Sequence, residues 1–131
     1  MGKWEVTDKA GETVYGHNEI TVQERGCLLV EHWQSSQGGT GSSINYYNPV
    51  TGQWHQDWVD AGSSIIKTSG GIKDGAMAMK GKIYYMQSGQ RADFRGKWTP
   101  LEDGRVRQFF QQKDDKGKWN TWFDGYYRRV K

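Results

Sequence analysis

Cysteine and proline are scarce in this chain of 131 residues, which contains one Cys and two Pro. The single cysteine, Cys27, excludes an internal disulfide, and we expect it to be an inert thiol in the core. Leu, Ile and Val are also sparse, and no apolar run approaches the length of a membrane-spanning helix. The chain enters a strand-like pattern at once, so we expect no signal peptide, a cytoplasmic location and no membrane partner.

Aromatic residues and glycine are abundant instead, with 7 Trp, 7 Tyr, 4 Phe and 18 Gly. Each large ring buries roughly 150–250 Å², so aromatic side chains must supply much of the core. Because glycine is common and proline is rare, we expect the turns to be glycine-containing hairpin turns and not linkers. The length fits one domain, and we assign residues 1–131 to a single domain.

Turn signals recur at short intervals, and runs rich in Val, Ile, Thr, Tyr and Trp lie between them. This spacing of about 8–12 residues is typical of an all-β sandwich or barrel, and no window shows helical periodicity. We therefore predict a single antiparallel up-and-down β-barrel of about nine to ten strands, because closure removes the exposed edges of a long meander. The turn signals lie at residues 8–11, 24–26, 35–39, 48–52, 60–62, 69–71, 80–81, 87–89, 102–104 and 114–117.

Alternation along the strands places polar and aromatic side chains on the same face. Trp54, Gln56 and Trp58 share one face, which we expect to point inward because two indoles in register are poorly solvated. An amide among rings is rare in a dry core, since an unpaired buried amide costs about 1–3 kcal/mol. A hollow interior that holds a polar-edged ligand explains this face, and a satisfied hydrogen-bond network inside a filled barrel is the alternative.

The ligand-binding residues that we predict combine aromatic walls with hydrogen-bonding groups. They are Trp33, Asn45, Tyr47, Trp54, Gln56, Trp58 and Tyr126. The expected ligand is a small hydrophobic or aromatic molecule.

Several segments resemble those of small, uncharacterised bacterial lipocalin-like domains. They are residues 26–33, 41–47 and 54–58, with 95–100, 115–119 and 123–126 in the C-terminal part. The likeness extends over most of the chain and rests on scaffold motifs, without a catalytic signature. It implies a calycin-type barrel that binds a small, largely apolar molecule, and it identifies no particular ligand.

Glu31 is the candidate catalytic residue of a second hypothesis. On the inward face beside Trp33, burial would raise the pKa of its carboxyl group and suit it to general acid or base chemistry such as proton transfer, cyclisation or isomerisation. Arg105, Arg107 or Tyr126 could pair with it. A buried ion pair that fixes strand register is the structural alternative. The chain lacks P-loop, HExxH and nucleophile-elbow motifs.

Metal, cofactor and nucleic-acid sites are not expected. The three histidines, His17, His32 and His55, are scattered and lack partners at ligand spacing. The net charge is +3, and acidic residues intersperse the basic residues of the segment 91–107, so a mixed, solvated surface is the simpler interpretation. Binding of carbohydrate or single-stranded nucleic acid stays an alternative, because Trp faces with flanking amides also suit those ligands.

A modest apolar strip is expected on the outer surface. If their neighbours point inward, Leu28, Val30 and Ile44 are exposed. Such strips often mark contacts between identical subunits, so we predict a homodimer.

Overall fold

Ten antiparallel strands form one closed barrel in the computed structural model, which describes residues 2–130. Each strand pairs with its neighbours in the chain, and β1 pairs with β10 to close the ring. The prediction of an all-β, up-and-down barrel of nine to ten strands is confirmed. The strands are β1 (Gly2–Thr7), β2 (Val14–Gln23), β3 (Leu28–Ser35), β4 (Thr40–Asn48), β5 (Gln53–Asp60), β6 (Ser64–Lys73), β7 (Ala76–Tyr85), β8 (Arg91–Pro100), β9 (Val106–Lys113) and β10 (Trp119–Arg129).

Helical structure within residues 2–130 is limited to one 3₁₀ turn, Glu24–Gly26, which connects β2 to β3. No helix in this part of the chain is long and apolar enough to cross a membrane.

The inward face of the barrel carries the core. Ile66, Ile83, Phe94 and Phe110 form its buried apolar cluster, and their exposed fractions are all 4% or less. Phe94 and Phe110 meet edge to face, with ring centroids 5.5 Å apart. These residues come from β6 to β9, so the apolar filling is concentrated on one side of the barrel.

Two of the predicted turns lie instead inside long strands. Residues 69–71 belong to β6 and residues 80–81 to β7, while the turn between these strands is Asp74–Gly75. Both turn residues have positive φ, 53° and 79°, as a two-residue hairpin turn requires. Gly70 and Gly81 serve a different purpose, since a Cβ on either would lie 1.9 Å from a backbone oxygen of the neighbouring strand. Glycine permits this close approach of strands.

The two ends of the barrel carry different loops. Because the strands alternate in direction, the loops that follow β2, β4, β6 and β8 share one end with the first residues of β1 and the last residues of β10. We call this the terminal end. The loops that follow β1, β3, β5, β7 and β9 form the opposite end, which we call the distal end.

The predicted outer strip is present only in part. Ile44 is 43% exposed, whereas Leu28 and Val30 are half-buried. Cys27, which we expected in the core, is exposed beside the turn between β2 and β3. The homodimer stays a prediction.

Candidate functional site

A chain of polar side chains crosses the barrel interior at mid-height. Asn18 on β2 donates hydrogen bonds to the Glu31 carboxylate on β3 and to the Tyr127 hydroxyl on β10, the second at 2.8 Å. The Tyr127 hydroxyl in turn donates to Gln108 Oε1 at 2.9 Å. On the other side, Ser43 on β4 donates from its hydroxyl to Glu31. All five residues are at least nine-tenths buried, so these strands turn a polar row inward.

Glu31 is the only ionisable carboxylate in this row. Burial raises the pKa of its carboxyl group, and the hydrogen bonds donated by Ser43 and Asn18 oppose that rise. Neither Arg105 nor Arg107, which the sequence offered as partners, reaches it. Arg105 bonds to Asp103, and Arg107 forms a two-pronged ion pair elsewhere on the outer surface. Glu31 is therefore held by neutral donors in place of an ion pair.

Tyr127 is kept protonated by the same surroundings. Burial and the nearby Glu31 charge raise the pKa of its hydroxyl well above the ordinary value of 10.0. The phenol is therefore a neutral donor, as its bond to Gln108 requires.

Gln56 on β5 lies beside the row and takes part in none of its hydrogen bonds. It is only 7% exposed, and its amide makes no hydrogen bond to any residue that the structure describes. Its inward neighbours across the ladders are Asn45 on β4 and Thr68 on β6. Thr68 Oγ1 is also buried and lacks a partner among residues 2–130. Asn18 Oδ1 in the polar row and His55 Nε2, which lines the terminal cavity described below, are likewise buried without a partner among residues 2–130. Several interior polar groups therefore have hydrogen-bonding capacity that the fold does not use.

Two cavities share Glu31 and Gln56 in their walls. The cavity towards the distal end has a volume of about 80 Å³ and the cavity towards the terminal end about 220 Å³. The distal cavity is also lined by Trp33, Trp58, Ile66, Gln108, Phe110, Trp122, Phe123 and Tyr127. The terminal cavity is also lined by Ile20, Leu29, Asn45, Trp54, His55, Met77, Met79 and Trp98.

Two indoles of the distal cavity are seated on inward-facing glycines. A Cβ on Gly41 would lie 2.4 Å from the Trp58 ring, and a Cβ on Gly16 would lie 2.6 Å from the Trp33 ring. Rings that cover strand glycines in this way also protect the exposed backbone. Trp58 is fixed further by a hydrogen bond of 3.2 Å from Nε1 to Asp60. The cavity wall is therefore set by glycines on β2 and β4 as much as by the tryptophans.

Most of the predicted site residues come together inside the barrel. Trp33 and Trp58 line the distal cavity, Asn45 and Trp54 line the terminal cavity, and Gln56 lines both. The structure thus groups five of the seven predicted ligand-binding residues around the polar row, with Glu31 among them.

Tyr47 and Tyr126 lie apart from both cavities. The Tyr47 ring is tilted against Trp54, with centroids 5.6 Å apart, but 48% of the residue is exposed. Tyr126 points outward and is covered by Arg105, whose guanidinium carbon lies 5.0 Å from the ring centroid. Its neighbour Tyr127 takes the inward position. The placement of Tyr126 in the cavity is therefore corrected to Tyr127.

A bulge in β10 accounts for this difference and for two residues of β10 that sequence reasoning missed. The register between β10 and β9 shifts between Thr121 and Phe123, so Trp122 and Phe123 both reach the distal cavity. Trp122 also meets the ring of Phe94 edge to face at 5.3 Å. Strict alternation from Trp122 would place Tyr126 inward, and the extra residue reverses that assignment. The sequence did contain a signal for Asn18, because strand alternation places it on the same face of β2 as Gly16 and Ile20.

The histidines lie outside the polar row. His32 is exposed and contacts Ser42, His17 lies 3.4 Å from Glu5 on the outer surface, and the His55 ring stacks on Tyr46. Within residues 2–130, no group of three or more His, Cys, Asp or Glu side chains is arranged to hold a metal ion.

Comparison with known proteins adds no assignment. No protein-family model matches the chain, and no curated protein matches it either. The candidate site therefore rests on the geometry of the barrel interior.

Proposed function

We propose that the barrel binds a small, largely apolar aromatic molecule that carries one hydrogen-bonding group. The observation that carries this proposal is the buried Gln56 amide, which lacks a partner among residues 2–130 and faces both cavities. A ligand hydroxyl or carbonyl group at this position would pair with the amide and offset its desolvation. The resemblance to lipocalin-like domains supports the same function, and membership of the calycin group is part of the proposal.

The size and lining of the cavities fit such a ligand. The terminal cavity, at about 220 Å³, lies just below the roughly 300–1,000 Å³ range of small-molecule pockets and therefore suits a small ligand. Indoles line both cavities, with Trp58 at the distal cavity and Trp54 and Trp98 at the terminal cavity. Aromatic walls with a few polar groups are the usual composition of a site that selects a flat, polar-edged molecule.

Isothermal titration with 1-naphthol tests the proposal, because this probe combines a flat apolar ring system with one hydroxyl. We expect binding to the wild type and an affinity about 3–10-fold lower in Gln56→Leu, since one hydrogen bond contributes about 0.5–1.5 kcal/mol. The matched control is Gln34→Leu, which makes the same change at an exposed position on β3. Equal affinities of the two variants, or absence of binding together with no molecule retained in native mass spectrometry, would overturn the proposal.

Catalysis by Glu31 is the second candidate function. It is favoured by the position of the carboxylate, which is buried and lines both cavities. Both of its oxygens already accept hydrogen bonds from protein donors, which favours a structural and ligand-orienting role. Glu31→Gln separates the two candidates, because a binder keeps measurable affinity for its ligand whereas an enzyme that depends on the carboxylate loses turnover by orders of magnitude.

A further inference from the structure

The fold concentrates positive charge on one side of the barrel. Residues 64–113, which contain β6 to β9, have ten Lys and Arg against four Asp and Glu, a net charge of +6. The rest of the chain has eight basic residues against eleven acidic residues, a net charge of −3. The modest overall charge of +3 therefore conceals two sides of opposite sign, and the basic side would attract anionic partners over long range.

A groove with a volume of about 860 Å³ runs across this basic side. Its floor contains small residues, Gly71 and Ala78, and a Cβ on Gly71 would meet nothing within 4 Å. Lys73, Lys80 and Lys97 are among the residues that line it. With strands about 4.8 Å apart, the part of the groove that β6 to β9 form is about 15 Å across, which is much larger than a single anion needs.

The lysines of the groove are available to a ligand. Lys73, Lys80 and Lys97 are exposed, and none of them forms an ion pair with any residue in the part of the chain that the structure describes. Lysines nearby are used differently, since Lys67 pairs with Asp57 and Lys82 with Asp93. Asp74 is the only carboxylate among the described residues that line the groove.

A flat cationic platform lies at one side of the groove. The Arg107 guanidinium is held by two hydrogen bonds to Asp124, at 2.9 Å and 2.8 Å. Its central carbon lies 4.7 Å from the centroid of the Phe109 ring, and both residues line the groove. Guanidinium planes and aromatic rings that are fixed in this way are the surfaces on which unpaired bases stack.

We propose that this groove binds single-stranded nucleic acid without sequence preference. Its lysines would follow the phosphates, and the Arg107–Phe109 platform would stack a base, which is the combination that single-strand binding proteins use. The concave shape disfavours a flat lipid surface. The stacking platform favours nucleic acid over an acidic polypeptide, which has no unpaired bases to stack on it. The site is on the outer face and is independent of the interior ligand site.

Fluorescence anisotropy with a labelled oligo-uridylate of about 12 nucleotides tests the proposal. We expect micromolar binding at about 50 mM salt, and the double variant Lys80→Gln/Lys97→Gln should bind about 10-fold more weakly. The slope of log K against log salt should fall by about 1.4 in that variant, because each lost phosphate contact removes about 0.7. The matched control is Lys9→Gln/Lys116→Gln, which removes two exposed charges from loops at the distal end and should change affinity less than about threefold.

A second variant distinguishes nucleic acid from other polyanions. Phe109→Leu keeps an apolar side chain and should weaken oligo-uridylate binding about fivefold while leaving heparin binding unchanged, and circular dichroism would verify the fold. Three results would overturn the proposal: no binding at about 50 mM salt, equal losses in the groove and control variants, or equal effects of Phe109→Leu on oligo-uridylate and heparin.

Discussion

The glycine beneath Trp58 gives a sharp test of how the distal cavity is built. In Gly41→Ala, the new Cβ would lie 2.4 Å from two carbons of the indole, whereas carbon atoms in contact prefer about 3.5–4.0 Å. The ring must therefore move by about an ångström or more. Such overpacking costs about 1–3 kcal/mol, and movement of the ring also weakens the Trp58–Asp60 hydrogen bond, which contributes about 0.5–1.5 kcal/mol.

The net loss of stability expected for Gly41→Ala is about 1–3 kcal/mol, because replacing a strand glycine by alanine regains roughly 0.5–1 kcal/mol. With a urea m value of about 1–3 kcal/mol per molar, the unfolding midpoint should fall by about 1 M. The matched control is Gly71→Ala in β6, where the added Cβ meets nothing within 4 Å and should be neutral or stabilising. Binding of 1-naphthol should weaken in Gly41→Ala and stay unchanged in the control.

A double-mutant cycle identifies the cause of the loss. In a Trp58→Leu background the two clashing ring carbons are gone, so adding Gly41→Ala should no longer destabilise the protein and should stabilise it by up to about 1 kcal/mol. A cost that is the same in both backgrounds, or a Gly41→Ala protein as stable as Gly71→Ala, would show that the indole does not depend on this glycine.

Three further outcomes follow from the polar row and the surface. Burial raises the folded-state pKa of Glu31 above its ordinary value of 4.5, so the unfolded chain ionises first as pH rises. The stability of the wild type relative to Glu31→Gln should therefore fall from about pH 4 towards the folded-state pKa. Urea unfolding between about pH 4 and pH 8 measures this difference, and parallel stability curves of the two proteins would contradict it. Tyr127→Phe leaves the buried Gln108 oxygen without its donor and should cost about 1–3 kcal/mol in the same assay, so a neutral result would mean that the row repacks. Lys82→Gln removes an exposed ion pair with Asp93 and should cost less than about 1 kcal/mol, whereas a larger loss would show that this pair is more than a surface contact.

The fold was predictable because local patterns repeat along the whole chain. Alternation in β5 places Trp54, Gln56 and Trp58 on the inner face, as the structure has them. Turn residues mark most hairpins, and closure follows from the number of strands. The exceptions are glycines in the middle of β6 and β7, such as Gly70, which resemble turn signals but serve the close approach of two strands.

The site was less predictable because parts of it depend on the extra residue of the β10 bulge and on contacts across the closed barrel. The bulge near Trp122 reverses the alternation of β10, and it exchanges the expected Tyr126 for Tyr127. Asn18 meets Glu31 within the β2–β3 hairpin, but Tyr127 and Gln108 join them only after β2 and β10 are brought together by closure through β1. No sequence window contains that proximity.

The position of the basic groove was also not predictable from the sequence. Acidic residues separate the basic residues along the chain, and this spacing predicts a mixed surface. Antiparallel pairing places Lys80 opposite Arg95 and Ala78 opposite Lys97 on adjacent strands, so cations that are distant in sequence become neighbours. Surface charge is therefore set by strand register, which composition does not determine.

The pairing of β1 with β10 makes the barrel a ring of hairpins in which Trp4 lies directly beside Arg129. A short glycine-rich peptide that joins the end of β10 to the start of β1 would close the ten strands into a cycle. Cutting that cycle at the Asp74–Gly75 turn would create a circular permutant in which every strand keeps its neighbours. Since all ten pairings survive such a rearrangement, the order in which the strands are synthesised is separable from the architecture that they build.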